Sequence, residues 1–161
     1  MEELSDRQIS QYLQRSYEAV DGLWFMKVEE KLGFDTALEI DGEVWKVLPK
    51  IQARMLKNML RLENGIDGLA KSLAARFNID GFRYRLEKQA DRDLNISISV
   101  CPWHQLMKKS GRVTLSGRVG DMVCAADHTA WAKEFGEDIK FHLSKQICKG
   151  DPVCIMHFTC L

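Results

Sequence analysis

Apolar residues recur at helical spacing through the first half of this chain and at strand spacing through much of the second. Ile9, Tyr12, Leu13, Ser16, Val20, Leu23 and Trp24 share one helical face, and the pattern runs on to Leu32, where Gly33 suits a helix end. Ahead of it, Ser5-Asp6-Arg7-Gln8 has the residues of a capping box, with Ser5 as N-cap and Gln8 at the third helical position. A second register starts at Asp35 and takes in Leu38, Val44, Trp45, Leu48, Ile51, Met55, Met59 and Leu62. It predicts a long helix, broken or kinked near Asp41-Gly42 and again near Pro49. Ile66, Leu69, Leu73 and Phe77 mark a third helix.

The period then changes to two. Phe82, Tyr84 and Leu86 alternate with charged residues, and Ile96, Ile98 and Val100 alternate with Asn95, Ser97 and Ser99. Ala90-Asp91-Arg92-Asp93 between them is turn chemistry, so a β-hairpin is predicted. Pro102 suits the first position of a short helix ending near Ser110, and Ala125 to Phe135 reads as another helix. Two further alternating segments, Ile139–Leu143 and Val153–Thr159, flank a turn at Lys149-Gly150-Asp151-Pro152. The expected class is α+β, in a single domain spanning 1–161. A helical N-terminal layer, 1–78, packs on a mainly antiparallel sheet of about four strands with short helices, 79–161.

Charge narrows the function classes. Residues 1–100 carry 15 basic and 17 acidic side chains and residues 101–161 carry 8 and 6, so neither part has a field that would draw nucleic acid or an anionic membrane. The longest uncharged stretch, Leu94 to Met107, is too short and too polar to span a bilayer. The start of the chain is acidic, unlike a signal peptide. A cytosolic, reducing location is expected, and disulfides are the weaker explanation for an odd number of cysteines. The oligomeric state stays open between monomer and homodimer.

All five cysteines and all four histidines fall after residue 100. Cys101 and Cys124 each precede a predicted helix, while Cys148 and Cys154 flank the last turn. Cysteines at element ends can converge, and four thiolates would complete a tetrahedral zinc site. Ordinary core cysteines are the rival reading, since a free thiol behaves as a small hydrophobe. His104 and His128 follow Cys101 and Cys124 by three and four residues, so a mixed site is a further alternative. Cys124 with Asp127 and His128 has the residue types of a thiol nucleophile, although adjacent helical residues diverge by about 100°. His142 and His157 read as solvated or satisfied, and Cys160 as incidental. Trp24, Trp45, Trp103 and Trp131 could line an aromatic pocket for a small planar ligand, although tryptophans at helical spacing are more often core. Gly111, Gly117 and Gly120 lack the Gly-Lys-Ser/Thr of a phosphate loop, and no catalytic residue is assigned.

Asp21-Gly22-Leu23-Trp24-Phe25, Val28-Glu29-Glu30-Lys31-Leu32-Gly33, Ala37-Leu38 and Asp41 with Val44-Trp45 resemble the N-terminal half of an uncharacterised prokaryotic family. That family is similar to the L-2-amino-thiazoline-4-carboxylic acid hydrolase group. In the C-terminal half, the family's pattern is matched by Cys101, Lys108-Lys109-Ser110-Gly111, Cys124, Trp131, Phe135 and Cys154 to Phe158. The stretch Lys149–Cys154 also resembles the end of the vinyl-4-reductase domain, a small-molecule-binding fold with a cysteine-rich zinc site in some members. The resemblance implies that Cys101, Cys124, Cys148 and Cys154 occupy recurrent cysteine positions and bind zinc. The expected function is a small-molecule binding or sensor module. A metal-dependent hydrolase that opens a small nitrogen- or sulfur-containing ring is the alternative, and an iron–sulfur protein is a third.

Overall fold

The computed structural model describes residues 3–89 and 92–161; Ala90 and Asp91 of the expected hairpin turn lie outside them. The chain divides into two compact units that meet within one helix, the first ending at Asp41 and the second beginning at Gly42.

Helix α1, Asp6–Leu32, begins as the capping box demands: the Ser5 hydroxyl accepts from the Gln8 amide at 3.4 Å, and the Ser5 amide donates to the Gln8 side chain at 2.9 Å. At its far end the Gly33 amide donates to the Glu29 carbonyl at 2.8 Å, with Gly33 at φ 85°. Phe25 and Phe34 meet edge to face at 5.8 Å. No residue of α1 is buried, and its apolar stripe of Ile9, Tyr12, Leu13, Val20, Leu23 and Trp24 faces solvent.

Helix α2, Phe34–Met59, runs without interruption through Asp41-Gly42 and Pro49, where the sequence predicted breaks. Burial explains both exceptions. Pro49 is fully buried, and the apolar contact offsets the hydrogen bond it cannot donate. Gly42 lies against Met122, whose sulfur would be 2.5 Å from any added Cβ. A close approach of this kind compensates glycine's poor helix propensity.

The second unit continues with α3, Ile66–Asp80, then strands β1, Arg83–Gln89, and β2, Asp93–Val100. After α4, Pro102–Lys109, a 3₁₀ turn at Val113–Leu115 leads into α5, Ser116–Lys133. The chain closes with β3, Ile139–Lys145, a second 3₁₀ turn at Ile147–Lys149, and β4, Cys154–Cys160. The fold is α+β. Its sheet has the order β1-β2-β4-β3 with every neighbour antiparallel, so the last strand inserts between β2 and β3.

Alternation sets the two sheet faces. Leu94, Ile96, Ile98, Ile139, Met156 and Phe158 pack with Leu69, Leu73 and Phe77 of α3, and with Trp131 and Phe135 in and just beyond α5. Asn95, Ser97, Lys140, His142 and His157 take the alternate positions, and His142 pairs with His157 across β3 and β4. Helix α5 is longer than the predicted Ala125–Phe135. Gly117 and Gly120 let the helix approach Cys148: added Cβ atoms would lie 3.3 Å from its carbonyl and 2.5 Å from its sulfur.

The entry to α3 depends on a tight approach. The Gly65 amide donates to the Phe135 carbonyl at 2.8 Å, and a Cβ at Gly68 would overlap the Glu63 carbonyl and sit 3.1 Å from the Phe135 ring. Gly68→Ala should therefore destabilise the protein by about 1–3 kcal/mol, despite alanine's better helix propensity. Denaturant unfolding measures this; an unchanged midpoint would show that the 63–65 turn yields freely.

Candidate functional site

Four of the five cysteines share one neighbourhood in the second unit. Cys101 leaves β2 and caps α4, Cys124 lies within α5 and not before it, Cys148 sits in the 3₁₀ turn, and Cys154 opens β4. All are free thiols. The Ile147 amide donates to the Cys154 sulfur at 3.3 Å, and Lys149 pairs with Asp121 of α5 beside them.

Their electrostatics are mutual. Burial first, then charge on Cys154 and Cys148, pushes the Cys101 thiol up to about 11, although the amides of His104 and Trp103 favour its thiolate. Cys124 is pushed well above the ordinary thiol range by burial, with Cys101, Cys148, Asp127 and Cys154 adding to the effect. Cys148 and Cys154 also rise, chiefly through burial. A nucleophilic thiol needs the opposite shift, so the field at Cys124 works against an attacking thiolate. Among the described residues no three His, Cys, Asp or Glu side chains are arranged to hold a metal ion. Cys160 stands apart, its thiol donating to Asp138 at 2.8 Å.

A second cluster surrounds a buried arginine that the sequence reading did not single out. Arg76 of α3 is 5 % exposed. Its Nη1 donates to Asp127 Oδ1 of α5 at 2.7 Å and its Nε to Asp80 Oδ2 at 3.3 Å, while its guanidinium lies 4.4 Å from the centre of the Trp131 ring. Trp131 in turn donates to the Ser72 hydroxyl at 3.2 Å. The available sequence signal was position: Arg76 falls between Leu73 and Phe77 on the core side of α3, with Asp80 four residues on.

His128, next to Asp127, is buried beside Phe141, Phe77 and Phe158, with ring centres 5.2, 6.3 and 6.5 Å away. Its Nδ1 is 3.8 Å from Asp127 Oδ2, too far for a hydrogen bond, and has no partner. Burial pushes its pKa down to about 4, against the pull of Asp127, so the ring is neutral at physiological pH. A buried ring nitrogen among aromatic faces can receive one polar group on an otherwise apolar molecule.

The other expected residues fall in different places. Trp45 and Trp103 meet edge to face at 5.8 Å, joining α2 to α4, and Trp131 is fully buried in the core. Trp24 is 67 % exposed on α1. His104 Nδ1 and Gln52 Oε1 are buried without hydrogen-bond partners. His157 is held by Asn95 at 2.6 Å and Ser144 at 3.0 Å. No helix among the described residues is long and apolar enough to cross a membrane.

No curated protein matches the sequence. Among solved structures, the chain is similar to the crystal structure of the phenol-responsive sensory domain of the transcription activator PoxR with phenol, at 13 % identity and a TM-score of 0.55. That similarity covers 88 % of this chain and 72 % of the other, and it shows a shared fold. A model of a family of unknown function, DUF6125, matches residues 3–160, and the chain belongs to that family.

Proposed function

We propose that this protein is a sensory module that binds a small aromatic molecule carrying one hydrogen-bonding group. The observation that carries the reading is His128, a buried neutral imidazole with an unsatisfied Nδ1 among Phe77, Phe141 and Phe158. An orphaned polar atom in an apolar interior costs about 1–3 kcal/mol, and a ligand that satisfies it recovers that cost. The phenol bound by the structurally similar sensory domain has this chemistry. Phe141 and Phe158 are 5.1 Å apart, so a guest must part them, which couples occupancy to the pairing of β3 with β4.

Phenol is the first probe. Calorimetry should detect binding, and saturation at about 100 times Kd should add about 2.7 kcal/mol of stability. His128→Phe keeps the apolar packing but removes the acceptor, and should weaken binding roughly 10- to 100-fold. Binding that is indifferent to this substitution would place the ligand elsewhere, and no binding by any small phenol would end the reading.

His128 also predicts a pH effect on stability. Its folded pKa lies near 4, below the ordinary 6.5. Above pH 6.5 neither state holds the proton; as pH falls from 6.5 towards 4 the unfolded chain takes it up and the native protein does not. Stability should therefore drop across that window by up to about 3 kcal/mol, and His128→Gln should remove that part of the slope. A wild-type profile matching the variant's would show that His128 is solvated.

The cysteine neighbourhood favours a second reading, a zinc site formed by Cys101, Cys124, Cys148 and Cys154. Burial opposes each of these thiolates, and repulsion from neighbouring cysteines adds to it at Cys101, Cys124 and Cys148; a divalent cation would relieve both by displacing protons. The donor set suits zinc in a closed structural role, and ligation requires the sulfurs to draw together from their present positions. Protein purified without chelator should contain about one zinc per chain. Cys101→Ser, Cys124→Ser or Cys154→Ser should lower that content, while Cys160→Ser should not. Visible absorption would indicate an iron–sulfur cluster instead, and metal-free protein from zinc-supplied anaerobic preparations would reject both. Metal-dependent opening of a thiazoline ring would replace the sensory reading with a hydrolase.

A further inference from the structure

Asp127 gives only one of its two carboxylate oxygens to Arg76. Oδ1 accepts from Arg76 Nη1 at 2.7 Å, and that bond between two buried side chains fixes how the carboxylate is turned. Oδ2 is thereby presented to His128 Nδ1 at 3.8 Å. The gap is too long for a direct hydrogen bond. It is also less than two hydrogen-bond lengths, so a single polar atom can touch both groups at about 2.8–3.0 Å. Phe77, Phe141 and Phe158 stand around the same ring and can pack against an arene.

The carboxylate decides what that polar atom has to be. An oxygen of a carboxylate held by a guanidinium accepts and cannot donate, so the guest must bring it a hydrogen whichever tautomer His128 adopts. Charge adds a second condition. Asp127 acts on the His128 ring more strongly than Arg76 does. Arg76 is bound to Asp80 as well, at 3.3 Å, so two carboxylates face one guanidinium. An anionic guest meets net repulsion here, in an interior that screens it poorly.

We infer that Asp127 is the specificity-determining residue of this site: with His128 it holds one uncharged O–H or N–H group on an aromatic ring, and it turns away ethers and aromatic carboxylates. The ligand class is then neutral phenols, aryl alcohols and aryl amides. This rests on the ligand site proposed at His128 and adds a second polar contact to it. A buried site made to pair a donor rejects an analogue that lacks one, because its own polar groups are left bare.

Two ligand pairs of matched size test this by calorimetry at one neutral pH. Benzyl alcohol and anisole are isomers, and only the first has an O–H. Benzamide and benzoate are near-isosteres that differ in charge. Benzyl alcohol should bind at least about 10-fold more tightly than anisole, and benzamide at least about 100-fold more tightly than benzoate. In His128→Phe the alcohol preference should persist at reduced affinity, because Asp127 still requires a donor. Asp127→Asn keeps an oxygen for Arg76 but sets an amide N–H group at the second position, and should shrink both ratios. If losing its charged partner at Arg76 unfolds that variant, the His128→Phe comparison decides. Ratios near one in the unaltered protein, ratios unchanged in folded Asp127→Asn, or an alcohol preference lost with His128 would each overturn the inference while phenol binding stands. Failure of phenol and all four probes to bind would remove the ligand site itself, and this assignment with it.

Discussion

Burying a guanidinium is the costliest commitment in this fold, and Arg76 shows how it is met. Taking an ion out of water costs several kcal/mol unless its hydrogen bonds are replaced. Asp127 at 2.7 Å, Asp80 at 3.3 Å and the face of Trp131 supply replacements from α3 itself and from α5. The pair therefore fixes two helices relative to each other over one face of the sheet. Removing Asp127 would take away the buried guanidinium's charged anchor on α5, so the register of α3 against α5 is tightly specified.

That constraint shapes the neighbouring site. Asp127 directs Oδ1 to Arg76, and its other oxygen lies 3.8 Å from His128 Nδ1, beyond hydrogen-bond reach. The imidazole is left neutral and unsatisfied within an aromatic wall. Helix α5 also carries Cys124, four residues before His128 and so about one turn away. The same rigid element thus links the proposed ligand contact to the thiol cluster. Gly117 and Gly120 hold its first turns against the loop that bears Cys148. A small movement of α5 on ligand entry would change the spacing of Cys124 from the other sulfurs, which is a physical route from occupancy to a signal.

Period, caps and turns made the architecture legible. The Ser5 capping box, the Gly33 helix end and the two-residue alternation of all four strands rest on local chemistry, and they appear in the structure where that chemistry operates. Misread boundaries share one cause. Gly42 and Pro49 look like breakers because the tertiary contacts that compensate them are invisible in a linear sequence. The gathering of Cys101, Cys124, Cys148 and Cys154 was suggested by their expected places at element ends and by the family resemblance, although Cys124 falls in the middle of α5. Arg76 was not suggested at all, because its partners lie four and fifty-one residues away and only folding brings the distant one into contact.

Periodicity has one further limit, and α1 displays it. A run of apolar residues on one helical face establishes that something apolar must cover the face, but not that the cover comes from the same molecule. In α3 the stripe of Ile66, Leu69, Leu73 and Phe77 is buried by the sheet, so its periodicity belongs to the core. In α1 the stripe of Ile9, Leu13, Val20 and Leu23 is exposed, and the half-covered positions mix Gln14, Glu18, Asp21 and Glu29 with Tyr17, Phe25, Met26 and Val28, so the period of its apolar residues does not by itself identify the covered side.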